Sequence, residues 1–197
     1  MPTSARHWTP SDHVTRGARQ PPGDRVFLSR TDTAAPGSLI SVLWEGTRPL
    51  LVEIQSLVVA AQYGSPRRLG IGLDQNRIAM ILAVLTKHGG LVLSDQDVFV
   101  NVVGGIRVLE TSADLAVALA IVSSLRNAVL PQDLMVFGEV GLSGEIRPVS
   151  NGEARLKEGV KHGFTRAIVP KGNAPKNGLA GMEIVGVADL SEALDAI

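Results

Sequence analysis

Residues 97–126 read DVFVNVVGGIRVLETSADLAVALAIVSSLR, and this stretch decides the fold class. Its first seven residues, DVFVNVV, are apolar almost without interruption, the pattern of a strand buried on both faces. Gly104-Gly105 ends it. From Ser112 to Arg126 the chain is again nearly all apolar (LAVALAIVSSL). That run is too long for a strand and apolar all round, so it reads as a central helix. A buried strand handing over to a buried helix is the building unit of an α/β protein.

The flanking sequence extends the pattern. Ile78, Ile81, Leu82 and Leu85 share one face of a helix from Asp74 to His88, with Asp74 as its cap. Lys87 and His88 suit the negative end of its dipole, and Gly89-Gly90 stops it. Upstream, RVFLS from Arg25, then SLISVLW and RPLLVEIQSLVV (48–59), read as strands, the last two paired across Glu45-Gly46-Thr47. RRLGIGL after Pro66 is a further short strand. Downstream, LMVFGEV (134–140) and EIRPV (145–149) read as a hairpin around Gly141 to Gly144. An amphipathic helix follows from Glu153 to His162, then strand RAIVP, a polar loop over 171–181, strand EIVGV and a last helix from Asp189 to Ala196. The expected class is α/β (α+β), mixed sheets with packed helices, and no internal repeat is present.

Composition narrows the chemistry. The chain has 197 residues, 19 basic and 19 acidic side chains, 45% hydrophobic residues and no cysteine. Balanced charge excludes a strongly basic nucleic-acid binder at the whole-chain level and confines any basic surface to a local patch. Absent cysteine excludes a disulfide scaffold, a thiolate zinc site and a cysteine nucleophile, and fits a reducing compartment. No apolar run approaches the roughly 20 residues of a membrane span and no signal-peptide core opens the chain; the expectation is a soluble, cytoplasmic protein without membrane contact. Residues 1–24 are rich in Pro, Ser, Thr, Gly and Arg without either apolar period. They are expected to be a disordered tail, leaving 25–197 as the folded domain.

No G-x-x-x-x-G-K-[ST] and no G-x-G-x-x-G after a strand is present, so neither a P-loop nor a dinucleotide fingerprint exists. His7, His13, His88 and His162 lack metal-ligand spacing, and no G-x-S-x-G elbow supports a serine triad. Ser112 is the serine that invites a choice. At the start of the most apolar helix its hydroxyl has backbone N–H neighbours and a favourable dipole, which suits a nucleophile if a Lys or His lies within reach. The alternative is an N-cap, with Thr111-Ser112-Ala113-Asp114 as the capping sequence.

Longer segments carry a family resemblance. SADLAVALAIVSSL, PQDLMVFGEVGLSGEIRPV and RLKEGVKHGFTRAIVPKGNAPK, with WEGTRPLLVEIQSLV, GLDQNRIAMILAVLTKHGG and DQDVFVNVVGGIRVLETSADLA, resemble the C-terminal Lon-protease-like domain of the bacterial RadA (Sms) family. The likeness covers residues 25–197; residues 1–24 do not share it. It implies a Lon proteolytic-domain-like fold of the ribosomal-protein-S5-domain-2 kind. The wider Lon-like family uses a Ser–Lys dyad, its serine in a Ser-Ala-Gly context at a helix start, where Ser112-Ala113-Asp114 stands here. The place of the family lysine, counted on from Gly138-Glu139, falls on Glu153. Lys157, one helical turn further, would have to reach back about 6 Å. A carboxylate opposes formation of an alkoxide where an ammonium favours it, so the resemblance leaves a vestigial nucleophile position without its activator, and no catalytic residue is expected.

RadA-family proteins join a zinc-binding region, a RecA-like ATPase and this domain in a hexameric, DNA-translocating motor of recombinational repair and branch migration. The resemblance therefore implies a non-proteolytic scaffold that contacts single-stranded or branched DNA and belongs to a hexameric ring. ATP, Mg and Zn are implied only for regions this chain lacks, since it has no Walker A, no K-N-R-F-G motif and no cysteine; no cofactor, ATP site or metal is expected in it. A fragment of a longer protein and a misplaced gene start are both consistent with that departure. The DNA-binding candidates are Arg67, Arg68, Lys157, Lys161, Arg166 and Lys171, with a solvated helix face as the plain alternative. The lone Tyr63 and few Phe argue against base stacking as the main mode. A Lon-like serine peptidase and a purely structural oligomerisation module stand as the other two readings.

Overall fold

The computed structural model describes residues 26–27, 34–62 and 64–197. The expected tail 1–24 and Tyr63 lie outside the described residues. Ten strands and four helices follow in chain order. They are β1 (Val26–Phe27), β2 (Ser38–Glu45), β3 (Arg48–Ala60), β4 (Arg68–Ile71), α1 (Gln75–Gly89), β5 (Gln96–Val102), α2 (Asp114–Arg126), β6 (Leu134–Val136), β7 (Glu139–Val140), β8 (Ile146–Arg147), α3 (Gly152–Lys161), β9 (Arg166–Pro170), β10 (Glu183–Val187) and α4 (Leu190–Asp195). The fold is α/β, as the sequence indicated.

One mixed sheet runs in the order β10-β9-β6-β2-β3-β5-β4, with β1 added to β3. Strand β3 is antiparallel to β2 and β5, and the other neighbours along that path are parallel. Glu45 pairs with Arg48, so the β2–β3 hairpin closes on Gly46-Thr47, as expected from the sequence. Gly46 has φ +60°, a conformation that glycine adopts without strain.

The all-apolar helix is central for a visible reason. From Asp114 to Ser123 every residue of α2 is buried; one side packs on β2 and β3, another on α1. Its two serines serve the sheet: Ser123 Oγ accepts from Gly37 N–H at 2.8 Å and Ser124 Oγ from Val58 N–H at 2.9 Å. Helix α1 has the expected cap, Asp74 accepting from Arg77 N–H at 3.1 Å, and ends on left-handed Gly90. On the opposite face of the sheet Leu156 of α3 packs with Val42, Leu51, Met135 and Phe137 in a second, smaller core.

Two local expectations are corrected. The hairpin around Gly141–Gly144 is confined to Glu139–Val140 against Ile146–Arg147. Residues Leu134–Val136 instead form β6, a central strand parallel to both β2 and β9. The sequence carries one apolar run across two strands, and Gly138 (φ +152°) divides it. Nor is Ser112 an N-cap. Thr111–Ala113 form a 3-10 turn ahead of α2, and the cap residues Glu110 and Ala113 make no side-chain capping bond to the N–H groups of the turns they precede. The polar side chains of this turn are engaged by other parts of the fold.

Candidate functional site

The turn 110–114 leads into α2 beside the end of β6, and its side chains hold it by three ties. The first is centred on Ser112, which is 1% exposed. Its hydroxyl accepts from Arg155 Nη1 at 3.2 Å. Arg155, from α3, is fully buried. Its Nη1 donates to Glu110 Oε1 at 3.1 Å and its Nη2 to Oε2 at 2.9 Å, a two-pronged pair. Its Nε donates to Ser150 C=O at 2.9 Å, and Nη1 also donates to Val42 C=O. The rings of Trp44 and Phe137 lie 5.8 and 5.9 Å from the guanidinium carbon. Trp44 N–H donates to Glu110 Oε1 at 2.5 Å. Burial works against the Glu110 carboxylate, but the hydrogen bonds from Arg155 and Ser112, the Arg155 charge and the Trp44 amide outweigh it and hold the carboxyl below its ordinary range.

The second tie is Asp114 with Arg77 of α1. Arg77 Nε donates to Asp114 Oδ1 at 2.8 Å and Nη2 to Oδ2; Val140 N–H adds a third bond at 3.2 Å. Burial pushes Asp114 up despite these partners, while the same hydrogen bond raises Arg77. The third tie is Thr111 Oγ1 donating to Glu139 Oε2 at 2.7 Å.

This geometry corrects the residue expected to face Ser112. Glu153 and Lys157 pair with each other at 2.6 Å, their side chains 71% and 62% exposed. The side chain that reaches Ser112 is Arg155. Along α3 the buried residues are Gly152, Arg155, Leu156 and Gly159, one helical stripe; Glu153 and Lys157 lie off it. Counting along the chain located the helix but missed its rotation. An arginine on the apolar stripe, with glycines three before and four after it, was the signal available in the sequence.

Beside the Ser112 hydroxyl the cluster offers one guanidinium and one carboxylate. A guanidinium stays protonated at any pH the protein meets and has no lone pair to take a proton. The one carboxylate beside Ser112 is saturated by donors and held below its usual range, which makes it a weak base.

The DNA-binding candidates do not form one surface. Arg67 pairs with Asp97 at 2.9 Å and lies 5.4 Å from the Phe99 ring. Arg68 donates to the carbonyls of Leu93 and Gln96. Both belong to the β4 end of the sheet, about 24 Å of strand spacing from β9. Lys157, Lys161, Arg166 and Lys171 come from α3 and the segment after it, and all four are exposed. Arg166, at the start of β9, is 3.7 Å from Asp133; Lys171 follows its end. Among the described residues no cluster of three His, Cys, Asp or Glu side chains could hold a metal, and no helix is long and apolar enough to cross a membrane.

An α/β domain whose helix-start serine is locked under an arginine–glutamate pair is thus defined by fold and site. A family model described as subunit ChlI of Mg-chelatase matches residues 72–173, just over half of the chain, and the chain belongs to that family. The particular relatives are more specific. It is 60% identical over 172 residues to DNA repair protein RadA of Pseudomonas aeruginosa, covering 87% of this chain and 38% of that protein. Against the RadA protein of Escherichia coli the identity is 63% over 169 residues, 86% and 37% of the two chains. Against that of Aquifex aeolicus it is 46% over 182 residues, 92% and 40%. The likeness to RadA read from the motifs is borne out, and the chain spans about two fifths of the length of these relatives.

Proposed function

We propose that this chain is a non-proteolytic scaffold and DNA-contacting domain of a RadA-type DNA repair protein, acting in recombination and branch migration as part of a ring-forming assembly in the cytoplasm. The observation that carries the first part is Arg155 in hydrogen-bond contact with Ser112, where a peptidase needs a group able to take the serine's proton. Burial of the hydroxyl further disfavours attack on a peptide. The DNA part is supported by the names of the relatives and by the exposed cations Lys157 and Lys161 of α3 and Arg166 and Lys171 at the two ends of β9. Glu153 and Asp133 neutralise part of that charge at Lys157 and Arg166, so binding is weak. Arg67 and Arg68 are engaged at the far end of the sheet and are secondary.

The test is a titration of labelled single-stranded and branched DNA at several salt concentrations. Two to four phosphate contacts predict a log–log salt slope of about −1.4 to −2.8 on single strands and about −1.8 to −3.6 on duplex arms. A joint Lys157→Ala, Arg166→Ala and Lys171→Ala variant should lower both affinity and slope. Salt-independent binding, no binding at low salt, or an unaffected variant would remove the DNA part of the reading.

A further inference from the structure

The contacts around Arg155 have a pattern that neither stability nor a lost active site requires. Strand β6 is parallel to β2 in the register Ile40↔Met135 and Ser41↔Val136. Continued by two residues, that register sets Gly138 opposite Leu43. In a parallel ladder a residue at that place gives its N–H to one carbonyl of its neighbour and takes the N–H two residues on. Gly138 would therefore serve Val42 C=O and Trp44 N–H. It does neither. Its N–H goes to Ser112 C=O at 2.7 Å and its C=O accepts from Leu115 N–H at 3.0 Å. Phe137 N–H keeps its regular ladder bond to Ile168 C=O of β9 at 3.3 Å, so the β9 side of β6 continues past the point where its β2 side stops. The β6 chain leaves β2 to hold the start of α2, and β2 is left with a carbonyl and an amide facing outward.

Those two groups are met by the side-chain pair. Arg155 donates to Val42 C=O and Glu110 accepts from Trp44 N–H, the donor and acceptor in the order a strand residue would present them. We propose that the Glu110–Arg155 pair is a surrogate strand residue. It completes the ladder of β2 where β6 departs, and through Arg155 Nε on Ser150 C=O it fastens α3 and its entry loop to that edge. Ser112 is the third member, its hydroxyl accepting from Arg155. The pair thus acts as a positioning device: it holds the edge of β2, the turn 110–114 and α3 as one unit. This inference concerns the fold and stands whether or not the domain meets DNA.

Site-resolved amide hydrogen exchange on the whole chain tests it, with Trp44 N–H as the reporter and Leu43, on the β3 side of the same strand, as the internal control. In Glu110→Ala, Trp44 exchange should accelerate about tenfold or more beyond any change at Leu43, and amides of the first turn of α3 should follow Trp44. In Glu110→Gln, whose side-chain carbonyl still accepts, part of that protection should return; this variant also carries the comparison if the alanine variant fails to fold. Equal acceleration at Trp44 and Leu43 would mean only general destabilisation, and an unchanged Trp44 would mean the carboxylate does not hold that amide. Either result overturns the surrogate-strand assignment.

Discussion

Replacing Arg155 by methionine keeps most of the side chain's volume and removes every bond of its head. Four acceptors lose a donor: the Glu110 carboxylate, Val42 C=O, Ser150 C=O and Ser112 Oγ. Breaking one partner of a buried ion pair costs about 3–5 kcal/mol, since the other charge is left without compensation. Glu110 is 28% exposed on its side chain and can regain part of its hydration, which favours the lower end, about 3 kcal/mol. For a domain of this size that is a fall of roughly 6–12 °C in midpoint. Adding Glu110→Gln should return a good part of the loss, because the stranded charge goes with it. Urea unfolding followed by circular dichroism on the parent, the two single variants and the double variant gives the coupling directly. A loss below about 1 kcal/mol for Arg155→Met, or strict additivity in the cycle, would refute the reasoning.

Acid should act through the same pair. A carboxyl whose folded pKa is depressed contributes stability above its unfolded pKa and loses it as pH falls through the folded value. Glu110 is of this kind, so unfolding midpoints should drop as pH falls below the ordinary carboxylate range, and less steeply in Glu110→Gln. Asp114, shifted upward, works in the opposite sense and in a different window: its protonation adds stability as pH falls toward the ordinary carboxylate range, a gain that Asp114→Asn should remove. At Gly37 (φ +83°) an added Cβ would stand 2.1 Å from Ser56 C=O; backbone cannot yield as a side chain does. Gly37→Ala should cost about 3 kcal/mol or more in the same unfolding assay.

How far the sequence revealed the molecule depended on the range of the forces involved. Helix α2 was legible because burial on all sides leaves no polar face to hide the pattern, and the β2–β3 hairpin because Gly46 punctuates it. Asp74 and Gly89-Gly90 marked α1 through strictly local chemistry. The turn before α2 was not legible. Ser112, Asp114 and Thr111 form a plausible local cap, yet each is claimed by a partner far along the chain: Arg155, Arg77 and Glu139. Arg155 is not among the residues the sequence singles out. Its burial depends on Gly159 letting that helix approach the sheet, where a Cβ would meet Met135 Sδ at 2.1 Å, and on Gly152 making room for the Asn173 side chain. Likewise the departure of β6 from β2 at Gly138 is decided by the turn before α2 and by the start of that helix, and its apolar run shows no break other than Gly138.

The central claim is that Ser112 is a structural hydroxyl and no longer a nucleophile. Incubating the native chain with a fluorophosphonate probe and measuring intact mass, beside Ser112→Ala and alongside fluorogenic-peptide turnover, addresses it most directly. The account predicts no adduct at Ser112 and peptide turnover that is the same, at background, in both chains. A stoichiometric adduct lost in Ser112→Ala, or peptide hydrolysis that disappears with that substitution, would contradict it.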